Sequence, residues 1–199
     1  MKKAAFFISL IVLLLPCTGM AASNELSVNA SSSMIIGNFD VKSERDLRYL
    51  RYGIEFRYYD KTDKEFKIID GKFTVGSSSF YPGLECELGF KGFLGDAERG
   101  AVDGSISGVG FYGSAAYTLP EMSTPVPVEF FGAITYAPSP LSFQDLDNYT
   151  EFKLGVAFYV VEQAAVIVDY RHHIIDMDNS AGNWEIDKGS ITFGVKLSW

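Results

Sequence analysis

The chain has 199 residues, with 17 basic and 25 acidic side chains and a formal charge of −8. That length suits one domain, and the acidic balance excludes a nucleic-acid binder, which needs a basic footprint. No stretch beyond the first residues holds 18 apolar residues in a row, so the chain predicts no transmembrane helix after its leader.

The first 21 residues read as a secretory signal peptide. Lys2 and Lys3 form a basic start, 4–15 an apolar run, and Gly19-Met20-Ala21 a small-x-small cleavage site after Pro16. The apolar run is too short for a spanning helix, which needs roughly 20 residues. Pro16 before Cys17 departs from a lipidation signal, so cleavage after Ala21 without lipid attachment is expected. Loss of Lys2 and Lys3 leaves 15 basic residues against 25 acidic ones, a charge of −10. Cys86 is then the only cysteine left and reads as a small apolar side chain facing lipid.

Residues 22–46 are ambiguous. Leu26, Val28 and Ala30 alternate and 34–41 is strand-like, so this region is either a hairpin turning at 31–33 or a tail. From 47 onward, period-two alternation dominates. Leu50, Tyr52, Ile54, Phe56 and Tyr58 oppose Arg51, Glu55 and Arg57. Weaker alternation covers 65–76, and in 83–94 Leu84, Cys86, Leu88, Phe90 and Leu94 oppose Glu85, Glu87 and Lys91. Further weak runs occupy 104–119, 126–137 and 164–175, and 150–160 sets Phe152, Leu154, Val156, Phe158 and Val160 against Glu151, Lys153 and Tyr159. Each is about 10 residues or longer, enough for a tilted strand to cross a bilayer. The final strand places Ile191, Phe193, Val195, Leu197 and Trp199 on one face and Thr192, Gly194, Lys196 and Ser198 on the other.

The predicted fold is all-β, an antiparallel transmembrane β-barrel over 22–199, with ten strands preferred to eight. Alternation does not say which face points inward, so a soluble lipid-binding barrel is the rival. Long polar loops are expected at 95–105, 138–148 and 176–188 with a moderate one at 60–64, and short turns at 77–82, 119–127 and 161–163. Aromatics near strand ends, namely Tyr58, Tyr59, Tyr117, Tyr136, Tyr149, Tyr159, Tyr170 and Trp199, are expected in interfacial girdles.

The stretch from Tyr136-Ala137-Pro138 through Leu141-Ser142-Phe143 and Asp145 to Tyr149-Thr150-Glu151 resembles the signature of the YfaZ family of Gram-negative outer-membrane proteins. Asp169-Tyr170-Arg171 resembles the close of that family's next strand. Departures are the terminal Trp199, where Phe is commonest, and the charged region 41–51. The resemblance implies an outer-membrane barrel and supplies no catalytic residue. Implied partners are outer-membrane lipids, lipopolysaccharide and the barrel-assembly machinery, which would read Phe193, Val195, Leu197 and Trp199. A monomer without cofactor is expected.

On the polar faces, Arg51, Glu55, Arg57, Glu85, Glu87, Lys91, Glu129, Glu151, Lys153, Asp169, Arg171 and Lys196 predict a lumen of mixed charge that neutralises itself and plugs the barrel. A narrow ion path through it is the alternative. His172 and His173, followed by Asp176, Asp178, Ser180, Glu185 and Asp187, raise a lipid-modifying hydrolase. Adjacent histidines point to opposite strand faces and cannot share one triad or metal, so the pair reads as a strand end. The acids Asp96, Glu98, Asp103, Asp145, Asp147, Asp176, Asp178, Glu185 and Asp187 lack EF-hand spacing and read as solvated loop surface.

Overall fold

A computed structural model describes residues 21–61, 64–120, 126–179 and 182–199. The expected signal peptide falls almost wholly outside them. Eleven strands form: β1 (Ala21–Ala30), β2 (Met34–Arg45), β3 (Arg48–Lys61), β4 (Lys64–Tyr81), β5 (Leu84–Arg99), β6 (Val102–Thr118), β7 (Val128–Ala137), β8 (Ser142–Gln144), β9 (Leu146–Val161), β10 (Ala164–Asn179) and β11 (Gly182–Ser198). Each pairs antiparallel with its neighbours, and β1 joins β11 from Glu25↔Ser198 to Ala30↔Phe193. The result is a closed barrel of ten strands, with the three-residue β8 laid on β6 above β7. The hairpin at 31–33 forms, which makes the count ten and not eight.

The end of the barrel carrying Asn24 and Trp199 is called the base, and the opposite end the rim. At the base, β2–β3, β4–β5 and β9–β10 are joined by turns of two residues. Gly83 at one of them has φ of 82°, and a Cβ there would lie 2.5 Å from the Thr118 carbonyl oxygen, so only glycine fits.

Of the two possible faces, the apolar one points outward. Leu50, Ile54, Phe56, Leu88, Phe90, Phe152, Leu154, Phe158, Phe193 and Val195 are exposed around the wall, Leu88 at 73%. A belt of this extent is stable only against hydrocarbon, so the barrel spans a membrane. Cys86, a free thiol, lies half-buried on the same side.

Most of the sequence expected as loop at the rim is strand instead. β3 and β4 pair out to Lys61↔Lys64, β5 and β6 out to Arg99↔Val102, and β10 and β11 out to Asn179↔Gly182. Among the described residues of these segments, 138–145 keeps the most loop character, as a 3₁₀ turn at Ser139–Leu141 followed by β8. β4, β5, β6, β9, β10 and β11 are 16 to 18 residues long. About 10 suffice to cross a bilayer, so the rim stands clear of the lipid.

Polarity inverts in that overhang. At the rim the interior is an apolar core of Met34, Ile36, Tyr59, Phe66, Ile68, Phe93, Ile106, Tyr149, Ile175, Met177 and Ile186, with Trp184 packed on it. The outward positions there include Asp96, Glu98, Asp178, Glu185 and Asp187, all exposed. Where the phase flips, neighbouring residues are both apolar. In Ile35-Ile36, Ile68-Ile69 and Phe93-Leu94 one member is buried in the core and the other is exposed on the wall.

Candidate functional site, a closed and charged lumen

The lumen has three tiers, set by strand parity and by the point at which each strand changes phase. Beneath the rim core lies an ionic layer built from β3, β4, β5, β9 and β10. The Arg57 guanidinium pairs with Asp70 at 2.5 Å, Glu151 at 3.0 Å and Glu55 at 3.2 Å, and it donates to the Tyr149 hydroxyl at 2.6 Å. Lys91 reaches Glu151 at 2.9 Å, Asp70 at 3.4 Å and Glu55 at 3.6 Å. Arg171 pairs with Glu55 at 2.9 Å and with Glu151 and Asp169, each at 3.4 Å. Asp169 also accepts from Asn29 and Thr192.

These contacts cross the barrel. Glu55 on β3 meets Arg171 on β10, and Lys91 on β5 meets Glu151 on β9, so opposite walls are tied together through the lumen. Charges of both signs at this spacing offset one another's desolvation, which unpaired charges could not do. With the rim core stacked on it, Arg57, Asp70, Lys91, Glu151 and Arg171 of the layer are buried.

Towards the base the lumen widens into a polar vestibule of about 270 Å³. Its walls carry short-range pairs: Lys42 with Glu85 at 2.7 Å, Arg51 with Glu87 at 3.0 Å, Lys72 with Asp40 at 2.9 Å and Lys196 with Glu129 at 2.9 Å. Lys153 differs, having Asp169 at 3.8 Å and the Phe131 ring at 4.9 Å. Aromatic faces elsewhere are also covered by cations, Tyr49 by Lys42 and Tyr159 by Lys196.

All twelve charged residues singled out in the sequence face this lumen. Arg57, Glu55, Lys91, Glu151, Asp169 and Arg171 lie in the ionic layer. Arg51, Glu85, Glu87, Glu129 and Lys196 line the vestibule, and Lys153 stands between the two. Sequence reasoning missed Asp40, Asp70 and Lys72, which sit where alternation is weak or its register ambiguous. Three tyrosines expected in the girdles face the lumen instead, although the alternation of 150–160 sets Tyr159 on the polar face. Tyr59 and Tyr149 are buried in the lumen, and Tyr159 donates to Glu129 at 3.0 Å within the vestibule. Tyr58-Tyr59 shows why: adjacent strand residues cannot share a face. Tyr136, Tyr170 and Trp199 are exposed on the wall, as are Phe193, Val195 and Leu197 of the terminal strand.

The histidines are not a strand end, because β10 continues to Asn179. His173 is buried, with Nδ1 3.4 Å from both Arg57 and the Tyr149 hydroxyl. His172 faces outward, Nδ1 3.1 Å from the Tyr170 hydroxyl and Nε2 2.8 Å from Asp187. Among the described residues the polar partners of the two rings are Arg57, Tyr149, Tyr170 and Asp187, and Ser180 lies outside the described residues. Among the described residues no group of three or more His, Cys, Asp and Glu has metal-binding geometry.

The segment behind the family resemblance bridges the tiers. Ala137 is buried in the rim core, β8 covers the gap above the short β7, and Tyr149 and Glu151 enter the ionic layer. The Asp178 amide donates to the Asp145 carbonyl at 2.8 Å and ties this cover to β10.

No family model and no curated protein matches the chain. Among solved structures, the translocator domain of the autotransporter NalP from Neisseria meningitidis aligns at 9% identity over 100% of this chain and 94% of its own, with a TM-score of 0.45. A major outer membrane protein from Thermus thermophilus aligns at 13% identity over 90% and 100%, TM-score 0.33. An anion-selective porin from Comamonas acidovorans aligns at 9% identity over 82% of this chain and 48% of its own, TM-score 0.36. Likeness this distant says nothing about the lumen.

Proposed function

We propose that the chain is an integral bacterial outer-membrane protein of the YfaZ type, with a structural or surface-interaction role and a lumen closed to solutes. The observation that carries this reading is the pair of seals in series, the cross-barrel ionic layer around Arg57, Lys91 and Arg171 and the apolar core above it. The extracellular side of such barrels is the more extended one, which matches the rim, where the strands stand clear of the lipid, so the vestibule opens to the periplasm and the rim faces outward from the cell. Its partners on this reading are the membrane lipids and lipopolysaccharide around the belt, and the barrel-assembly machinery at Phe193, Val195, Leu197 and Trp199. The protein works as a monomer, without cofactor or catalysis.

Reconstitution of the purified, refolded protein in planar bilayers tests the closed lumen. Electrical silence is expected. Stable conductance steps would transfer the assignment to a small channel.

A further inference from the structure

Among the described residues, β11 leaves a strand edge open at the rim. β1 pairs with β11 only up to Ala30↔Phe193, whereas β10 pairs with β11 as far as Asn179↔Gly182. Beyond Phe193 the other edge of β11 therefore has no neighbouring strand among the described residues. Its backbone direction follows from the base. The Trp199 amide donates to Asn24 of β1 at 3.0 Å, whereas the Ser198 amide donates to Gln163 at 2.8 Å, on the β10 side. Pairing with β10 runs without a register shift, so odd-numbered residues keep turning their N–H and C=O groups away from β10. Asn183, Glu185, Asp187 and Gly189 thus present donors and acceptors to the open edge. One is occupied: Arg99 donates to the Glu185 carbonyl at 3.3 Å.

The same odd residues point their side chains outward. Asn183, Glu185 and Asp187 are exposed, beside the outward Asp176 and Asp178 on β10. This segment lies past the lipid belt, where Ile191 is the last apolar wall residue of β11 and the Tyr170 ring covers Gly189.

We propose that the Asn183–Gly189 edge of β11 is a strand-addition site for an extended basic polypeptide segment with Lys or Arg at every second position. An added antiparallel strand satisfies the free backbone groups, and its outward side chains fall opposite Asn183, Glu185 and Asp187. A second copy of this chain is the wrong occupant, because a two-fold pairing of β11 edges sets Glu185 and Asp187 against acidic residues. The proposal rests on the barrel topology alone and survives if the lumen proves to conduct.

The test uses the full barrel in lipid nanodiscs and a capped octapeptide of alternating Lys and Thr. Opposite β11, the Lys amides point at the edge and the Thr amides point away. Binding is expected for the parent peptide and for its Thr-N-methylated form. A loss of at least tenfold is expected on N-methylation of the Lys positions, and a similar loss for the parent peptide on the Glu185→Lys/Asp187→Lys barrel. Equal binding by both N-methylated forms would mean charge attraction without strand addition and would overturn the proposal, as would no binding at all. Dimerisation through β11 would overturn it in favour of a second copy.

Discussion

Lys91→Met probes the ionic layer with little change in side-chain volume. The ammonium contacts three carboxylates, Glu151 at 2.9 Å, Asp70 at 3.4 Å and Glu55 at 3.6 Å. The layer balances Glu55, Asp70, Glu151 and Asp169 against Arg57, Lys91, Lys153 and Arg171, so the substitution leaves one uncompensated negative charge beneath an apolar core. Two unit charges 4 Å apart interact by about 4 kcal/mol at an effective dielectric of about 20. Truncating one member of a buried pair costs about 3 to 5 kcal/mol. We therefore expect Lys91→Met to lose about 3 to 5 kcal/mol, against about 0.5 kcal/mol or less for Glu98→Gln on an exposed strand tip. Adding Glu151→Gln to Lys91→Met should recover part of the loss, since charge balance returns. Urea unfolding of refolded protein in lipid vesicles, followed by tryptophan fluorescence and by heat-modifiable gel mobility, measures all four proteins. A Lys91→Met loss within about 1 kcal/mol of Glu98→Gln would mean the layer is wet, and the reasoning from burial would fail.

Two further outcomes follow from the wall. Leu88→Arg puts a charge on the most exposed lipid-facing leucine and should cost about 2 to 4 kcal/mol if it lies at the bilayer midplane; the same urea assay in vesicles reads it, and an unchanged midpoint would remove Leu88 from the hydrocarbon. Deletion of Trp199 removes two backbone bonds that close the barrel, Asn24 to Trp199 at 2.8 Å and the reciprocal one at 3.0 Å, about 1 to 3 kcal/mol in all. It should reduce assembly in cells further than that loss explains, and normal levels of heat-modifiable protein in the outer membrane would reduce the terminal aromatic to an ordinary apolar end.

The belt strands were legible because one solvent regime governs each face over ten residues. β3, β5, β9 and β11 alternate cleanly, and the charges opposite their apolar residues face the lumen. The rim was not legible as strand, because there the outward face is acidic and the inward face apolar. Asp176 and Asp178 read as loop, yet they alternate with the buried Ile175 and Met177. The signal available was the doublet: Ile35-Ile36, Ile68-Ile69 and Ile174-Ile175 mark a change of phase and not a break in the strand. Asp70 was missed for the same reason. It lies next to the Ile68-Ile69 doublet, where the window mixes both phases, and only the cross-barrel partner Arg57 reveals it.

The inversion of polarity also fixes how deeply the protein sits. A uniform apolar cylinder could slide along the membrane normal at little cost. This one cannot. Sinking by two residues, about 7 Å along a strand, would carry the Asp187 and His172 level towards hydrocarbon, and rising by as much would bring Ile191 and Leu94 into water. The rim core moves with the wall, being packed across the barrel between β2, β4, β5 and β10. Immersion depth is thus written into the same doublets that mark each strand's change of phase, and the Asn183–Gly189 edge is held at a constant height above the lipid.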